Sequence, residues 1–189
     1  MSNGLKFTID HYEIEEFDNF LVLKSFIVTV GPNRKKTYFS KESIKDAIPT
    51  LINRPVYCKW VDRLEDFDGH AKNNDEILNQ NYVFIGHIPS NGEIKFEEYE
   101  GKEFLTATTL IYKDYFPDIC ERIVNEQPEL SMEVSAEEAH ENDDGLLEID
   151  KFRFLSYVLL GRYSNPGIEK AHVEVLQFQG EDEALINEY

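Results

Sequence analysis

Apolar residues recur along this chain with two periods, and the switches between them outline its elements. Over residues 20–25, Phe20, Val22 and Lys24 alternate with Leu21, Leu23 and Ser25, and residues 26–30 are rich in β-branched side chains, so residues 5–30 are expected to be strands. Gly31-Pro32-Asn33 breaks that run. Ile44, Ala47, Ile48 and Leu51 then fall at helical spacing behind Ser40, a residue suited to capping, and Arg54-Pro55 ends the segment. Residues 56–60 read as a strand and residues 61–81 as a long polar loop containing Asp66, Asp68, Gly69 and Asn73-Asn74. Three strands are expected over 82–88, 93–98 and 104–112, with turns at Ser90-Asn91-Gly92 and Glu100-Gly101. Asp114 is placed to cap a second helix carrying Phe116, Ile119, Cys120 and Ile123, with Pro117 in its first turn and Pro128 beyond its end. Beyond it come a strand over 130–135, a very acidic stretch over 137–144, a strand or bent pair over 147–160, a loop over 161–166, a single turn over 168–171 and a last strand over 172–178.

Many short strands with two helices imply an α+β domain on an antiparallel sheet or barrel. No linker or repeat divides the chain, so residues 1–180 are expected to form one domain and residues 181–189 an acidic tail. Charge narrows the function. Against 37 acidic residues stand 19 basic ones, a net charge of −18. Nucleic-acid binding needs a basic patch, so no nucleic-acid partner is expected, and the charge serves solubility and keeps the protein off DNA. No run reaches the roughly 18 apolar residues of a membrane span. Residues 1–23 lack the basic-then-apolar pattern of a signal peptide, which implies the cytosol. Cys58 and Cys120 show no CxxC spacing, which argues against a zinc site and a disulfide scaffold and for two semi-buried hydrophobes. No metal or other cofactor is expected.

The candidate chemistry lies in one histidine and one serine. Among His11, His70, His87, His140 and His172, only His70 follows a glycine in a long loop just after a strand, a common setting for catalytic residues. In Leu130-Ser131-Met132-Glu133-Val134, alternation puts Ser131, Glu133 and Ser135 on one face of a strand. A serine needs a base within hydrogen-bond reach to act as a nucleophile. The G-x-S-x-G elbow, H-E-x-x-H and a D-x-D-x-D-G loop are all missing, so an α/β-hydrolase, a zinc protease and a calcium loop are disfavoured.

Taken together, five segments resemble the prohead (capsid maturation) proteases of tailed phages, a family similar to the herpesvirus assemblins. They are Gly31-Pro32-Asn33-Arg34 with the helix after it, Asn53-Arg54-Pro55-Val56, Gly69-His70, Leu130-Ser131-Met132-Glu133-Val134, and Leu159-Leu160-Gly161 through Asn165-Pro166 to Ala171. The resemblance implies a mostly antiparallel, assemblin-like β-barrel core with a few surrounding helices. It implies a serine endopeptidase with Ser131 as nucleophile and His70 as base. Its substrates would be the scaffolding protein and the major capsid protein, cut inside the procapsid in the host cytoplasm, with a homodimer as one possible assembly. Gly161-Arg162 matches the assemblin turn that stabilises the oxyanion, so Arg162 is the oxyanion candidate. The strand expected to supply the third catalytic residue has no carboxylate or histidine over 152–160. Ser156 is the candidate there, with Glu148 and Asp150 just upstream, and a Ser–His dyad is the alternative. Competing classes are a scaffold or other capsid-associated virion protein, an inactive protease homologue, and an acidic module that mimics DNA.

Overall fold

Residues 19–69 and 82–177 are described by the computed structural model. The strands expected before residue 19 lie outside them. β1 (Phe20–Thr29) is buried on both faces over most of its length and is paired along its two edges by β8 and β11. At Gly31, φ is +111°, a conformation that glycine adopts without steric cost, and the chain turns there into β2 (Gly31–Pro32). Asn33 Oδ1 closes the hairpin to β3 (Thr37–Phe39) by accepting from the Lys35 and Thr37 N–H groups and from Thr37 Oγ1. Ser40 caps α1 (Lys41–Ala47) by accepting from the Ser43 N–H, as its position implied. That helix is shorter than expected. Pro49 has no N–H to continue the α-helical ladder, and residues 48–50 tighten into a 3-10 turn.

β4 (Pro55–Val61) follows. The loop expected after it contains a 3-10 turn and β5 (Asp66–Phe67), which pairs back on Trp60 and Val61. β6 (Tyr82–His87), β7 (Ile94–Tyr99) and β8 (Lys102–Tyr112) run antiparallel to their partners. α2 (Pro117–Glu126) begins with proline in its first turn, as expected, but Asp114 falls in the preceding 3-10 turn and does not cap it. α2 buries Ile119, Cys120, Arg122 and Ile123, and Gln127 ends it in the left-handed conformation just before Pro128.

The last third departs most from expectation. β9 (Leu130–Glu141) continues through the first part of the acidic stretch, whose remainder, residues 142–144, lies in the turn of a long hairpin with β10 (Leu147–Leu159). Its carboxylates are tolerated because β10 supplies cations: Lys151 and Arg153 both pair with Glu137, at 3.3 and 2.9 Å. β11 (Val173–Gln177) closes against β1.

The architecture is α+β, mostly sheet with two short helices. The strands join one sheet in the order β11-β1-β8-β6-β4-β10-β3-β2, with β5 on β4, β7 on β8 and β9 on β10. Two pairings, β10 with β3 and β10 with β4, are parallel. The expected barrel does not close. Across the gap between β9 and β11 the described link is the bridge Glu129–His172, a single residue pair and not a ladder. Pro128, lacking an N–H, starts this edge and limits what it can donate. The sheet still curls far enough for the Tyr157 hydroxyl of β10 to meet Ser25 of β1 at 2.8 Å and Thr109 of β8 at 2.9 Å. This trio sits fully buried with its hydroxyls mutually satisfied, which is the condition for placing them inside a core.

Candidate functional site

Ser131 is the second residue of β9, and three local causes fix it. Gln127 and Pro128 stop α2, the Leu130 N–H donates to Ala171 O at 2.9 Å, and the Leu160 N–H donates to Glu129 O at 2.8 Å. Leu130 therefore points into the main core while Ser131 points to the opposite face of the sheet, at 6% exposure. On that face the register runs from Ser131 to Val158 of β10, to Tyr57 of β4 and on to Phe84 of β6. Tyr57, Val158 and Leu160 form a second small apolar cluster there, with Tyr82 against it.

One strand repeat along, Glu133 faces Ser156, whose hydroxyl donates to Glu133 Oε2 at 2.9 Å. The Tyr57 hydroxyl is buried beside both side chains yet completes no hydrogen bond. Burial first, and then the adjacent Glu133 carboxylate, push its proton affinity far above the tyrosine range. Ser131, Glu133, Ser156 and Tyr57 thus share one face, with a hydroxyl at one end and a carboxylate one strand repeat away. Glu133 was legible as a same-face neighbour of Ser131, but its meeting with Tyr57 depends on the parallel β4–β10 pairing, for which no local signal exists.

His70 lies outside the described residues. The residue before it does not. The Gly69 carbonyl accepts from the Tyr82 hydroxyl at 3.2 Å, and the Gly69 N–H donates to Asp68 Oδ1 at 2.8 Å. Asp68 is held in turn by Lys59, at 2.8 Å, and by its own N–H to Lys59 O, also 2.8 Å. The Lys59 ammonium and the Gly69 N–H keep the Asp68 carboxyl below the usual aspartate range. Tyr82 packs edge-on against Tyr57, with ring centroids 5.5 Å apart. Gly69 is therefore anchored on the face that carries Ser131.

The described histidines are occupied elsewhere. The His87 ring bonds the Tyr112 hydroxyl at 3.1 Å, and burial lowers its proton affinity. His140 pairs with Asp150 at 2.8 Å on the exposed hairpin, where Asp150 raises its pKa. His172 stacks on Phe26 at 4.5 Å and on Tyr99 at 4.9 Å. Neither upstream carboxylate considered as a third catalytic member approaches the site, since Asp150 serves His140 and Glu148 accepts from Asn142. Both cysteines are buried and held protonated, Cys58 far above the thiol range and Cys120 pushed up to about 12 by desolvation, so neither offers a thiolate nucleophile.

Arg162 is not a free oxyanion donor in this arrangement. Its N–H donates to Asp66 Oδ2 at 3.0 Å, and its guanidinium is bound by Glu126 and reaches Asp66. The glycine before it has a packing reason. A Cβ on Gly161 would lie 1.9 Å from the Phe67 carbonyl oxygen, so only glycine lets β5 cross the end of β10. Asp66, 2% exposed, is the hub of this crossing, because it also takes the Arg122 Nε at 2.9 Å.

The family model of the YonD N-terminal domain matches residues 19–189. No curated protein and no solved structure matches the chain. The chain belongs to the YonD N-terminal domain family.

Proposed function

We propose that this domain is a serine endopeptidase of the prohead-protease kind, with Ser131 as nucleophile and His70 as base. The supporting observation is the shared face: the residue that leads into His70 is tied by Tyr82 and Asp68 to the side of the sheet on which Ser131 and Glu133 stand. In the reaction, His70 takes the Ser131 proton as the oxygen attacks the scissile carbonyl, then returns it to the leaving amine. Water hydrolyses the acyl-enzyme on Ser131 by the same relay. The third member is Glu133 in place of the expected Ser156. A carboxylate stabilises the imidazolium that forms, whereas a hydroxyl stabilises it only weakly, and the Ser156 hydroxyl is spent holding Glu133. The substrates are the scaffolding and major capsid proteins, cut within the procapsid, and a net charge of −18 keeps the enzyme off the DNA that later fills the shell. The open sheet lends no support to a closed assemblin barrel, so the proposal stands on the site alone.

One observation favours a second reading. The Arg162 N–H is committed to Asp66, which leaves the expected oxyanion donor occupied, and loss of such a donor typically lowers the rate about 10²–10³-fold. An inactive homologue that serves as a capsid-associated protein would carry this feature at no cost. Co-expression with the scaffolding and major capsid proteins of the same particle separates the two. Cleavage by the wild-type chain that disappears in both Ser131→Ala and His70→Ala supports the protease, provided both variants keep the wild-type circular dichroism. Intact substrates with the wild-type chain support the inactive homologue.

A further inference from the structure

On the Ser131 face of the sheet, one buried polar atom is not explained by packing. Tyr57 is 1% exposed, and among the described residues its hydroxyl has no hydrogen-bond partner. The ring is held without help from the oxygen. Val158 stands beside it in register, and Tyr82 and Phe84 meet it edge-on, with centroids 5.5 and 6.0 Å away. Phenylalanine would fill the same space and spare the fold a desolvated donor, which costs stability when left unpaired. Retaining such a group calls for a role other than packing.

Its neighbours point to that role. Across two strands, the hydroxyl lies beside the Glu133 carboxylate and the Ser156 hydroxyl. The Ser156 proton is already given to Glu133 Oε2 at 2.9 Å, which leaves the carboxylate as the charge that the Tyr57 O–H dipole meets. Burial and that carboxylate together keep the phenol protonated, so it remains a donor at every working pH. A donor dipole beside a carboxylate favours the ionised form. The other charged groups described on this face are engaged. Lys59 of β4 binds Asp68 at 2.8 Å, and Arg153 of β10, opposite Ser135, binds Glu137 at 2.9 Å. Tyr82 of β6 donates to Gly69 O.

We propose that Tyr57 is a positioning residue of the endopeptidase: its hydroxyl holds Glu133 as the carboxylate that steadies the His70 imidazolium. The contact stands on the strand register and the buried hydroxyl; its part in catalysis rests on the endopeptidase reading.

Removing the dipole makes the Glu133 oxygens more basic. Glu133 then takes up a proton at higher pH, and its carboxylate holds the His70 imidazolium more strongly, so the base is freed only at higher pH. The test is Tyr57→Phe, which keeps the ring, read in two ways. In the full chain carrying Ser131→Ala, carboxyl-carbon NMR follows Glu133, assigned by the loss of its signal in Glu133→Gln. The Glu133 midpoint should rise when Tyr57→Phe is added. In the active chain, with the scaffolding protein as substrate, the acid limb of kcat/KM should move to higher pH, with about a fivefold loss on that limb and less than twofold on the plateau. An unmoved Glu133 midpoint would overturn the contact and the proposal with it. A raised midpoint in a chain without Ser131-dependent cleavage would keep the contact and overturn the catalytic role. Ser131-dependent cleavage with an unmoved acid limb would overturn that role and leave the protease standing.

Discussion

Gly161→Ala tests the crossing that holds the site region together. The new methyl carbon would stand 1.9 Å from Phe67 O, 2.8 Å from Phe67 C and 3.0 Å from Asp66 Oδ2. Two of these are backbone atoms of β5, so no side chain can swing away, and β5 itself must move. Inserting a methyl into a packed site typically costs about 1–3 kcal/mol. Here the displacement also disturbs Asp66, which is buried and bound to Arg122 and to the Arg162 N–H, so the upper end of that range applies. Gly145→Ala is the matched control, since its Cβ meets nothing within 4 Å and its cost is only that of a φ of +71°, about 1–2 kcal/mol. Urea unfolding followed by circular dichroism should place the Gly161→Ala midpoint clearly below that of Gly145→Ala, a large loss for a domain whose total stability is expected to be about 5–15 kcal/mol. Because Gly69 lies two residues past Phe67, peptidase activity at a temperature where the variant is still folded should also fall. Equal midpoints for the two variants would refute the close β5–β10 contact.

Three further outcomes follow from the site. Glu133→Gln should lower kcat for peptide cleavage about 10²–10⁴-fold if Glu133 supports the base, while Ser156→Ala, which removes one hydrogen bond to that carboxylate, should lower it less than tenfold; the reverse order would return the third role to Ser156. Tyr57→Phe removes a buried hydroxyl that has no partner and should raise stability by about 1 kcal/mol in urea unfolding, whereas a net loss would mean that the hydroxyl is bonded. The Asp68 carboxyl, depressed in the folded protein by Lys59 and the Gly69 N–H, stabilises the Gly69 anchor above the unfolded pKa of about 3.9 and loses that effect as pH falls through its lower folded value. NMR titration should therefore show an Asp68 midpoint below about 3.9 with the Gly69 amide moving in step, and a midpoint at or above that value would contradict the clasp.

What the sequence revealed divides by distance along the chain. Ser40 capping α1 and Pro117 opening α2 are settled within about four residues, and both were readable; Asn33 closing on Thr37 is equally local, but Gly31-Pro32-Asn33 pointed only to a break. Pro49 is as local a signal, and its missing N–H ends the α-helix before the expected stop at Arg54-Pro55. The acidic run after Ser135 was not legible as strand, because the cations that make it tolerable, Lys151 and Arg153, lie across the hairpin on β10. The same holds for the site. The alternation that sets Ser131 and Glu133 on one face is local, whereas Tyr57 reaches that face only through the parallel pairing of β4 with β10. Gly161 was noticed beside Arg162 for an oxyanion role, and its reason proved to be the Phe67 backbone, 94 positions earlier. Barrel closure, in turn, depends on whether the β9 and β11 edges pair in full, a property that no single strand's pattern contains.

The peptidase assignment is tested most directly by treating the purified chain with a fluorophosphonate, which reacts with an activated serine hydroxyl, and locating the adduct by peptide mass spectrometry. The account predicts one adduct, on Ser131, that is lost when His70 is replaced by alanine. A folded wild-type chain that takes up no label, or takes it up equally with and without His70, would contradict it.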